Sequence, residues 1–195
     1  NNSEVLVINL NGIDITRGSV DFWLRPDWDY SGQIAAFTEV TPGIFRILHS
    51  DGTFLVLLFR PSQGFVLLIN DGFDTYQYVS SADSSVFRRD TPSHFAVSWD
   101  NLGRADSQKH TVVMYLDGKV LYQSFVAWKG AKRPTGSVLV GGEVGQLVAS
   151  APQNPTAEVF LPTNADPVSD TASAWALIEN LKIYNFPRTD FSDRF

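Results

Sequence analysis

The 195-residue sequence contains no cysteine. It therefore has neither a disulfide framework nor a thiolate metal site. It also lacks an apolar run of about 18 residues, the length that a membrane-spanning helix requires, so we expect no insertion into a membrane. The sequence opens on the polar residues Asn1, Asn2, Ser3 and Glu4. No signal-peptide pattern is present, as expected of a mature chain or an excised domain.

Charged residues are few, and their balance is acidic. They make up 18% of the chain, and the net charge is −6. A surface for nucleic acid needs clustered lysine and arginine, and the sequence offers only two short basic clusters, at residues 88–89 and 129–133. We therefore expect no nucleic-acid partner. The surplus of carboxylates is compatible with a hard cation such as calcium, which prefers oxygen ligands.

Apolar and polar residues alternate with a period of two through most of the chain, which is typical of β-strands. Asp117-Gly118 between two apolar runs predicts a tight hairpin, since a type I′ turn needs positive φ at both central positions. No stretch has a helical period. The pattern predicts a single all-β domain over residues 1–195, a sandwich or a barrel. Its strands are expected at residues 5–10, 19–24, 33–38, 44–50, 54–60, 64–70, 76–80, 93–99, 111–116, 120–125, 137–141 and 176–184.

Three runs are apolar on both faces, at residues 5–10, 54–59 and 65–69. A strand that is covered on one side alternates, so these runs predict cover on both sides. Either a long loop of this chain folds over them, or a neighbouring subunit covers them. Residues 143–174, rich in alanine, serine, threonine, proline and asparagine, form a long loop that could be this cover or carry a function of its own.

Five motifs in order carry a family resemblance. They are residues 18–26 (GSVDFWLRP), 95–100 (FAVSWD), 112–121 (VVMYLDGKVL), 138–142 (VLVGG) and 176–185 (ALIENLKIYN). In this order and spacing they resemble the laminin-G-like branch of the concanavalin A-like lectin and glucanase superfamily. The resemblance implies a jelly-roll β-sandwich of two antiparallel sheets. Trp23 and Trp99, both inside predicted strands, are expected in its core.

The sequence argues against catalysis. Laminarinase-type hydrolases of this superfamily carry Glu-x-Asp-x-x-Glu on one strand, and retaining hydrolysis needs two carboxyl groups about 5 Å apart. The motif does not occur here. No Gly-x-Ser-x-Gly nucleophile elbow occurs either, and the three histidines are isolated from one another. We therefore predict that the protein is not an enzyme.

The resemblance also implies a structural calcium site. In many concanavalin A-like proteins an acid on the closing strand pairs with backbone oxygens near the N-terminus. The matching position here is Glu179, with Asn9, Asn11 and Gly12 as further contributors. The family more often has aspartate at this position. A carboxylate satisfied by hydrogen bonds at a sheet edge is therefore an equal alternative.

Loop aromatics beside polar groups are the candidate ligand-binding residues. A sugar site combines an aromatic face with a few polar groups that fix the hydroxyls, and four such residues directly follow Pro26. Packing of each aromatic ring under its own turn is the alternative. The predicted ligand-binding set is Asp27, Trp28, Asp29, Tyr30, Tyr76, Tyr78 and Trp128.

The leading functional prediction is a non-catalytic recognition or adhesion module, extracellular or at the cell surface. Its expected partner, by family resemblance, is a glycan or another cell-surface or matrix component. The alternative is a structural subunit of a self-assembling surface layer, appendage or filament, because apolar strands can pair with another chain. A polysaccharide-degrading enzyme is the second alternative.

Overall fold

The computed structural model describes residues 6–9, 13, 15–26, 43–49, 53–60, 64–80, 90–129, 136–140 and 176–195. These residues form eleven strands and one short 3-10 helix, Ser192–Arg194. The strands are β1 (Leu6–Asn9), β2 (Arg17–Pro26), β3 (Gly43–His49), β4 (Phe54–Arg60), β5 (Gly64–Asn70), β6 (Thr75–Val79), β7 (Ser93–Asp100), β8 (Val112–Leu116), β9 (Lys119–Ser124), β10 (Gly136–Val140) and β11 (Ala176–Tyr184). The strand predicted at residues 33–38 and the predicted loop at 143–174 lie outside the described residues.

The described strands form two antiparallel sheets. The six-stranded sheet has the order β1-β10-β3-β4-β5-β6, and the five-stranded sheet has the order β11-β2-β7-β8-β9. Neighbours such as β2 and β7 are distant in sequence, so the chain crosses repeatedly between the sheets. The prediction of an all-β sandwich of two antiparallel sheets is confirmed.

The core lies between the two sheets, and alternation decides which side chains enter it. Val20, Phe22 and Leu24 of β2 point inward, and the Phe65 and Phe95 rings from opposite sheets lie 3.8 Å apart between centroids. Trp99 is fully buried here, as predicted. The prediction that Trp23 also lies in this core is wrong. It lies on the other face of β2 and is half-buried against the rings of His94 and Phe195.

The six-stranded sheet is also buried on its outer face over β4 and β5. There Phe54, Val56, Leu58, Val66 and Leu68 form a second apolar cluster. This confirms the two-sided burial predicted for the runs at 54–59 and 65–69. These side chains are buried within a single chain, so no neighbouring subunit is needed to cover them. Side chains of the third run, at residues 5–10, lie outside the description.

The sandwich has two ends, which we name by one turn residue each. At the Asp71 end lie the β5–β6 turn, the β7–β8 loop and the residues that follow β9. At the Asp117 end lies the β8–β9 hairpin, where Asp117 and Gly118 both have positive φ, at 48° and 74°. This confirms the tight turn predicted from Asp117-Gly118. Within the described part of the chain, no helix is long and apolar enough to cross a membrane.

Candidate functional site

Residues 125–129, which we call the crossing segment, join the two sheets at the Asp71 end. The carbonyl oxygen of Val126 accepts hydrogen bonds from the Tyr78 hydroxyl at 2.9 Å and from Thr111 Oγ1 at 2.7 Å. Tyr78 belongs to β6 of the six-stranded sheet, and Thr111 directly precedes β8 of the five-stranded sheet. One carbonyl group therefore ties β6 of one sheet to the start of β8 of the other.

A second tie is the buried carboxylate of Asp71. Its Oδ1 accepts hydrogen bonds from the backbone N–H groups of Phe73 and Asp74, both at 2.9 Å. Its Oδ2 accepts one from the backbone N–H of Lys129 at 2.7 Å. Burial alone would raise the pKa of Asp71, but these hydrogen bonds and one from the Tyr76 hydroxyl hold it below its ordinary value. The charged carboxylate fixes the β5–β6 turn to the crossing segment.

Replacing Asp71 by asparagine should destabilise the protein by about 1.5–3 kcal/mol at pH 7, because hydrogen bonds to a charged group are lost. Asparagine offers one acceptor oxygen and cannot accept from both loops. The folded-state pKa of Asp71 is lowered, so its contribution is present above the unfolded-state pKa and is lost as pH falls through the folded value. Urea unfolding should therefore separate variant from wild type at pH 7, and the separation should shrink progressively as pH falls below about 4. Asp74→Asn, at the exposed neighbouring carboxylate, is the control and should change little.

Tyr78 and Trp128, two of the predicted ligand-binding residues, meet at this end but are buried. They are 2% and 4% exposed, and their rings pack edge to face with centroids 6.2 Å apart. Trp128 Nε1 donates to the carbonyl oxygen of Ile15 at 3.0 Å. Burial raises the pKa of Tyr78, so its hydroxyl stays a donor. These rings belong to the core, which corrects their prediction as ligand contacts, and they support the loops above them.

Tyr76 is the predicted ligand-binding residue that keeps part of its surface in solvent at this end. It is half-buried, and its hydroxyl bonds to Asp71. Burial and the nearby charges of Asp71 and Asp74 raise its pKa. The phenol therefore stays neutral and able to donate a hydrogen bond near pH 7.

Sequence reasoning missed the most exposed aromatic side chains of this end. Phe73 is 66% exposed on the β5–β6 turn, and Phe125 is 68% exposed at the start of the crossing segment. Leu102 on the β7–β8 loop and Val126 are exposed as well. Two signals could have found the phenylalanines. Phe73 directly follows the Asp71-Gly72 turn, and the pair Phe125-Val126 directly follows the polar pair Gln123-Ser124 at the end of β9.

The ring of Phe125 packs on the imidazole of His110, which Asp106 holds in place. The rings of Phe125 and His110 are 4.1 Å apart between centroids. His110 is buried, and its Nδ1 lies 2.7 Å from Asp106 Oδ2. Burial would raise the pKa of Asp106, but its hydrogen bonds with the His110 ring and with the backbone N–H groups of His110 and Gln108 lower it. The imidazole therefore supports an exposed aromatic face.

The remaining ligand-binding candidates, Asp27, Trp28, Asp29 and Tyr30, lie outside the described residues. The strand that precedes them ends at Pro26, which pairs with Ala176. That pair belongs to the Asp117 end of the five-stranded sheet, opposite to the end that carries Tyr76.

The structure does not bring the two described residues of the predicted calcium site together. Asn9 pairs with Ser137 at the Asp71 end of the six-stranded sheet. Glu179 is exposed and pairs with Trp23, near the Asp117 end of the five-stranded sheet. Asn11 and Gly12 lie outside the described residues, and within the described part no group of three or more acids and histidines could hold a metal ion. The pair Glu179 and Asn9 therefore does not fit a calcium ion.

Comparison with known proteins gave matches among solved structures only. No protein-family model matches the sequence, and no curated protein matches it significantly. Domains LG4-5 of the mouse laminin alpha1 chain align with a TM-score of 0.57 at 14% identity, over 93% of this chain and 39% of theirs. The receptor-binding domain of botulinum neurotoxin D aligns with a TM-score of 0.58 at 11% identity, over 100% of this chain and 40% of its own.

A third solved structure is domain 4 of AbnA, a GH43 extracellular arabinanase from Geobacillus stearothermophilus, in complex with arabinotriose. It aligns with a TM-score of 0.54 at 15% identity, over 91% of this chain and 66% of that domain structure. The chain thus spans about two fifths of the laminin and toxin structures and about two thirds of the arabinanase domain. At these identities the likeness concerns the fold. Together with its two antiparallel sheets, it identifies the chain as a jelly-roll domain of the concanavalin A-like fold.

Proposed function

We propose that this chain is a non-catalytic recognition module that works outside the cell or at its surface and binds carbohydrate at the Asp71 end. One observation carries the proposal. Two exposed phenylalanine rings, Phe73 and Phe125, stand on loops that are tied to one framework through Asp71 and the Val126 carbonyl. Loops fixed before binding lose little conformational freedom when a ligand arrives.

The chemistry of this end suits a sugar. An aromatic face packs against the apolar C–H side of a pyranose or furanose ring, and nearby polar groups orient its hydroxyls. The Tyr76 hydroxyl donates its proton to Asp71, so its oxygen is left to accept a hydrogen bond from a sugar hydroxyl. The exposed Asp74 and Lys129 supply a carboxylate acceptor and an ammonium donor beside the β5–β6 turn.

The same contacts argue against hydrolysis at this end. Both oxygens of Asp71 accept backbone hydrogen bonds, and the Asp106 carboxylate is engaged with His110. Asp100 accepts from the Leu102 N–H and from Arg104. Carboxylates engaged in this way are poorly placed to transfer protons to a substrate or to attack it, which retaining hydrolysis requires.

Structures of the same fold give the carbohydrate proposal its ligand class. The arabinanase domain was solved with arabinotriose, and the toxin structure is a receptor-binding domain. These ligands belong to those proteins. The two structures are the reason for testing oligosaccharides first as ligands of this chain.

The self-assembly alternative is weakened, because the apolar outer face of β4 and β5 is buried within the chain and is not free to pair with another chain. The apolar run at residues 5–10 also favours this alternative, and it includes β1, an edge strand of the six-stranded sheet as described. An edge strand by itself is common in sandwiches. Recognition therefore remains the function that we propose.

Phe73→Ala and Phe125→Ala should each weaken glycan binding about tenfold, the loss expected when one central aromatic contact is removed. A glycan array selects the ligand, and titration calorimetry then compares the variants. Val120→Ala is the control, since Val120 is an exposed apolar residue of β9 near the Asp117 end. Its affinity should equal that of wild type.

One result would contradict the proposed location of the site, and another would contradict carbohydrate as the ligand class. Wild-type affinity in both phenylalanine variants, with loss of binding in Trp28→Ala and Tyr30→Ala, would move the site to residues 27–30. An array with no bound glycan, tested on folded protein, would remove carbohydrate as the ligand class.

A further inference from the structure

Residues 186–195, which we call the docked segment, lie against the outer face of the five-stranded sheet. Two serines of that face hold the segment's backbone. Ser19 Oγ donates to the Phe186 carbonyl oxygen at 2.8 Å and accepts from the Arg188 N–H at 3.2 Å. Ser98 Oγ donates to the Arg188 carbonyl oxygen. The sheet thus contacts the segment as it would contact a bound peptide, through side chains.

Phe191 is the apolar anchor of the docked segment. It is buried in a cluster with Ala96, Ala105, Val113 and Tyr115, and its ring centroid lies 5.2 Å from that of Tyr115. These partners come from β7, β8 and the loop between them. They form a small apolar pocket that the segment fills with a single side chain.

Arg194 is the charged anchor. Its Nε lies 2.5 Å from Asp21 Oδ1, and its Nη2 donates to the Asn180 carbonyl oxygen at 2.5 Å. His94 Nε2 lies 3.2 Å from the same carboxylate oxygen, and the side chains of Asp21 and His94 are fully buried. The ring of Phe195 then covers His94, with centroids 5.3 Å apart.

The sheet face under the docked segment favours particular side chains. Within the described residues, His94 Nδ1 is buried without a hydrogen-bond partner, which is costly. A buried ion pair adds little stability compared with apolar packing of the same volume. It does, however, select arginine over neutral side chains, because a neutral residue would remove the cation that Arg194 places 2.5 Å from the carboxylate. A fixed acidic site beside an apolar pocket therefore recognises a phenylalanine followed three residues later by an arginine.

The docked segment is also separable from the sheet. Within the described residues, its backbone hydrogen bonds to other backbone groups stay inside the segment, from Arg194 to Phe191 and from Phe195 to Ser192. It adds no strand to the five-stranded sheet. The segment can therefore leave without breaking the ladder that joins β11, β2 and β7.

We propose that the outer face of the five-stranded sheet is a peptide-recognition groove, filled in cis by the docked segment and in trans by the same segment of a second copy of this chain. Each copy carries both the groove and its ligand, so the exchange is reciprocal and gives a symmetric dimer. The partner's arginine would then complete the charge cluster around Asp21.

The test uses the full chain carrying Phe191→Ala and Arg194→Ala, which weakens its own segment and leaves the groove residues unchanged. A fluorescently labelled synthetic peptide of residues 186–195 is titrated against it and followed by anisotropy. We expect saturable binding that is at least tenfold tighter than to wild type, whose groove is occupied. Peptides carrying Arg194→Ala or Phe191→Ala should bind at least tenfold more weakly. These peptide controls leave the fold of the protein unaffected.

Light scattering of wild type at high micromolar concentration should detect a dimer that excess peptide dissociates. A strict monomer, or a folded double variant that does not bind the peptide, overturns the proposal. Equal binding of the wild-type and substituted peptides also overturns it. If the double variant does not fold, hydrogen exchange of the wild-type protein tests the proposal instead. Amides of residues 186–195 should exchange at least tenfold faster than those of β2 and β7, and equally slow exchange overturns the proposal.

Discussion

Replacing Asp21 by alanine should destabilise the protein by about 3–5 kcal/mol, the cost of removing one partner from a buried ion pair. Asp21 Oδ1 lies 2.5 Å from Arg194 Nε and 3.2 Å from His94 Nε2. Without the carboxylate, the buried guanidinium of Arg194 loses its counter-charge and keeps its hydrogen bond to the Asn180 carbonyl. Urea unfolding followed by tryptophan fluorescence measures the loss.

The pH dependence of this contribution has a defined sign. Burial would raise the pKa of Asp21, but the hydrogen bond with His94, the charge of Arg194 and the hydroxyl of Tyr184 outweigh it and lower the pKa. A lowered folded-state pKa means that the stabilisation is present above the unfolded-state value and is lost as pH falls through the folded value. The difference between wild type and Asp21→Ala should therefore shrink below about pH 4.

Asp193→Ala is the matched control for Asp21. Asp193 pairs with Arg188 in the same docked segment, but its side chain is 55% exposed. Exposed ion pairs contribute about 0–1 kcal/mol, so this variant should unfold close to wild type. Similar small losses in both variants would contradict the view that the charge cluster at Asp21 holds the docked segment.

Much of the fold could be predicted because its signals are local. Alternation identifies a strand from a few consecutive residues, and Asp117-Gly118 specifies a turn with two residues whose φ values are positive. The two-sided apolar runs likewise indicated that β4 and β5 are covered on both faces. None of these features depends on a distant part of the chain.

The features that could not be predicted depend on partners far along the chain. Trp128 is buried because its indole nitrogen bonds to Ile15, 113 residues away. Tyr78 is buried because its hydroxyl reaches Val126, 48 residues on. Trp23, on the outer face of β2, is half-buried because the ring of Phe195 packs against it. No local pattern contains this information.

The candidate site also depends on contacts between distant parts of the chain. Aromatic composition drew attention to residues 76–78 and 128, which lie at the Asp71 end, but burial decides which of these rings remain in solvent. Phe73 and Phe125 are exposed because Asp71 and the Val126 carbonyl fix the backbones that carry them. A sequence shows an aspartate beside a glycine, and only the fold shows that this aspartate reaches Lys129.

Replacing Trp99 by alanine should cost about 3–5 kcal/mol, as expected for a large buried aromatic side chain. Trp99 is fully buried, and it pairs in register with Gly18 of β2. The missing side chain of Gly18 makes room for the indole ring. A Cβ atom on Gly18 would lie 2.6 Å from Trp99 Cζ2 and 2.9 Å from the carbonyl oxygen of Tyr184.

Gly18→Ala should therefore destabilise the protein by about 1–3 kcal/mol through overpacking, and a double-mutant cycle tests the cause. In a Trp99→Ala background the contact with the indole is gone, whereas the contact with the Tyr184 carbonyl remains. The cost of Gly18→Ala should fall without vanishing, with a coupling of about 0.5–3 kcal/mol between the two positions. Additive costs would assign the strain to the β11 carbonyl alone. In that case Gly18 would serve the pairing of β2 with β11, and its position opposite Trp99 in the sheet would have no energetic role.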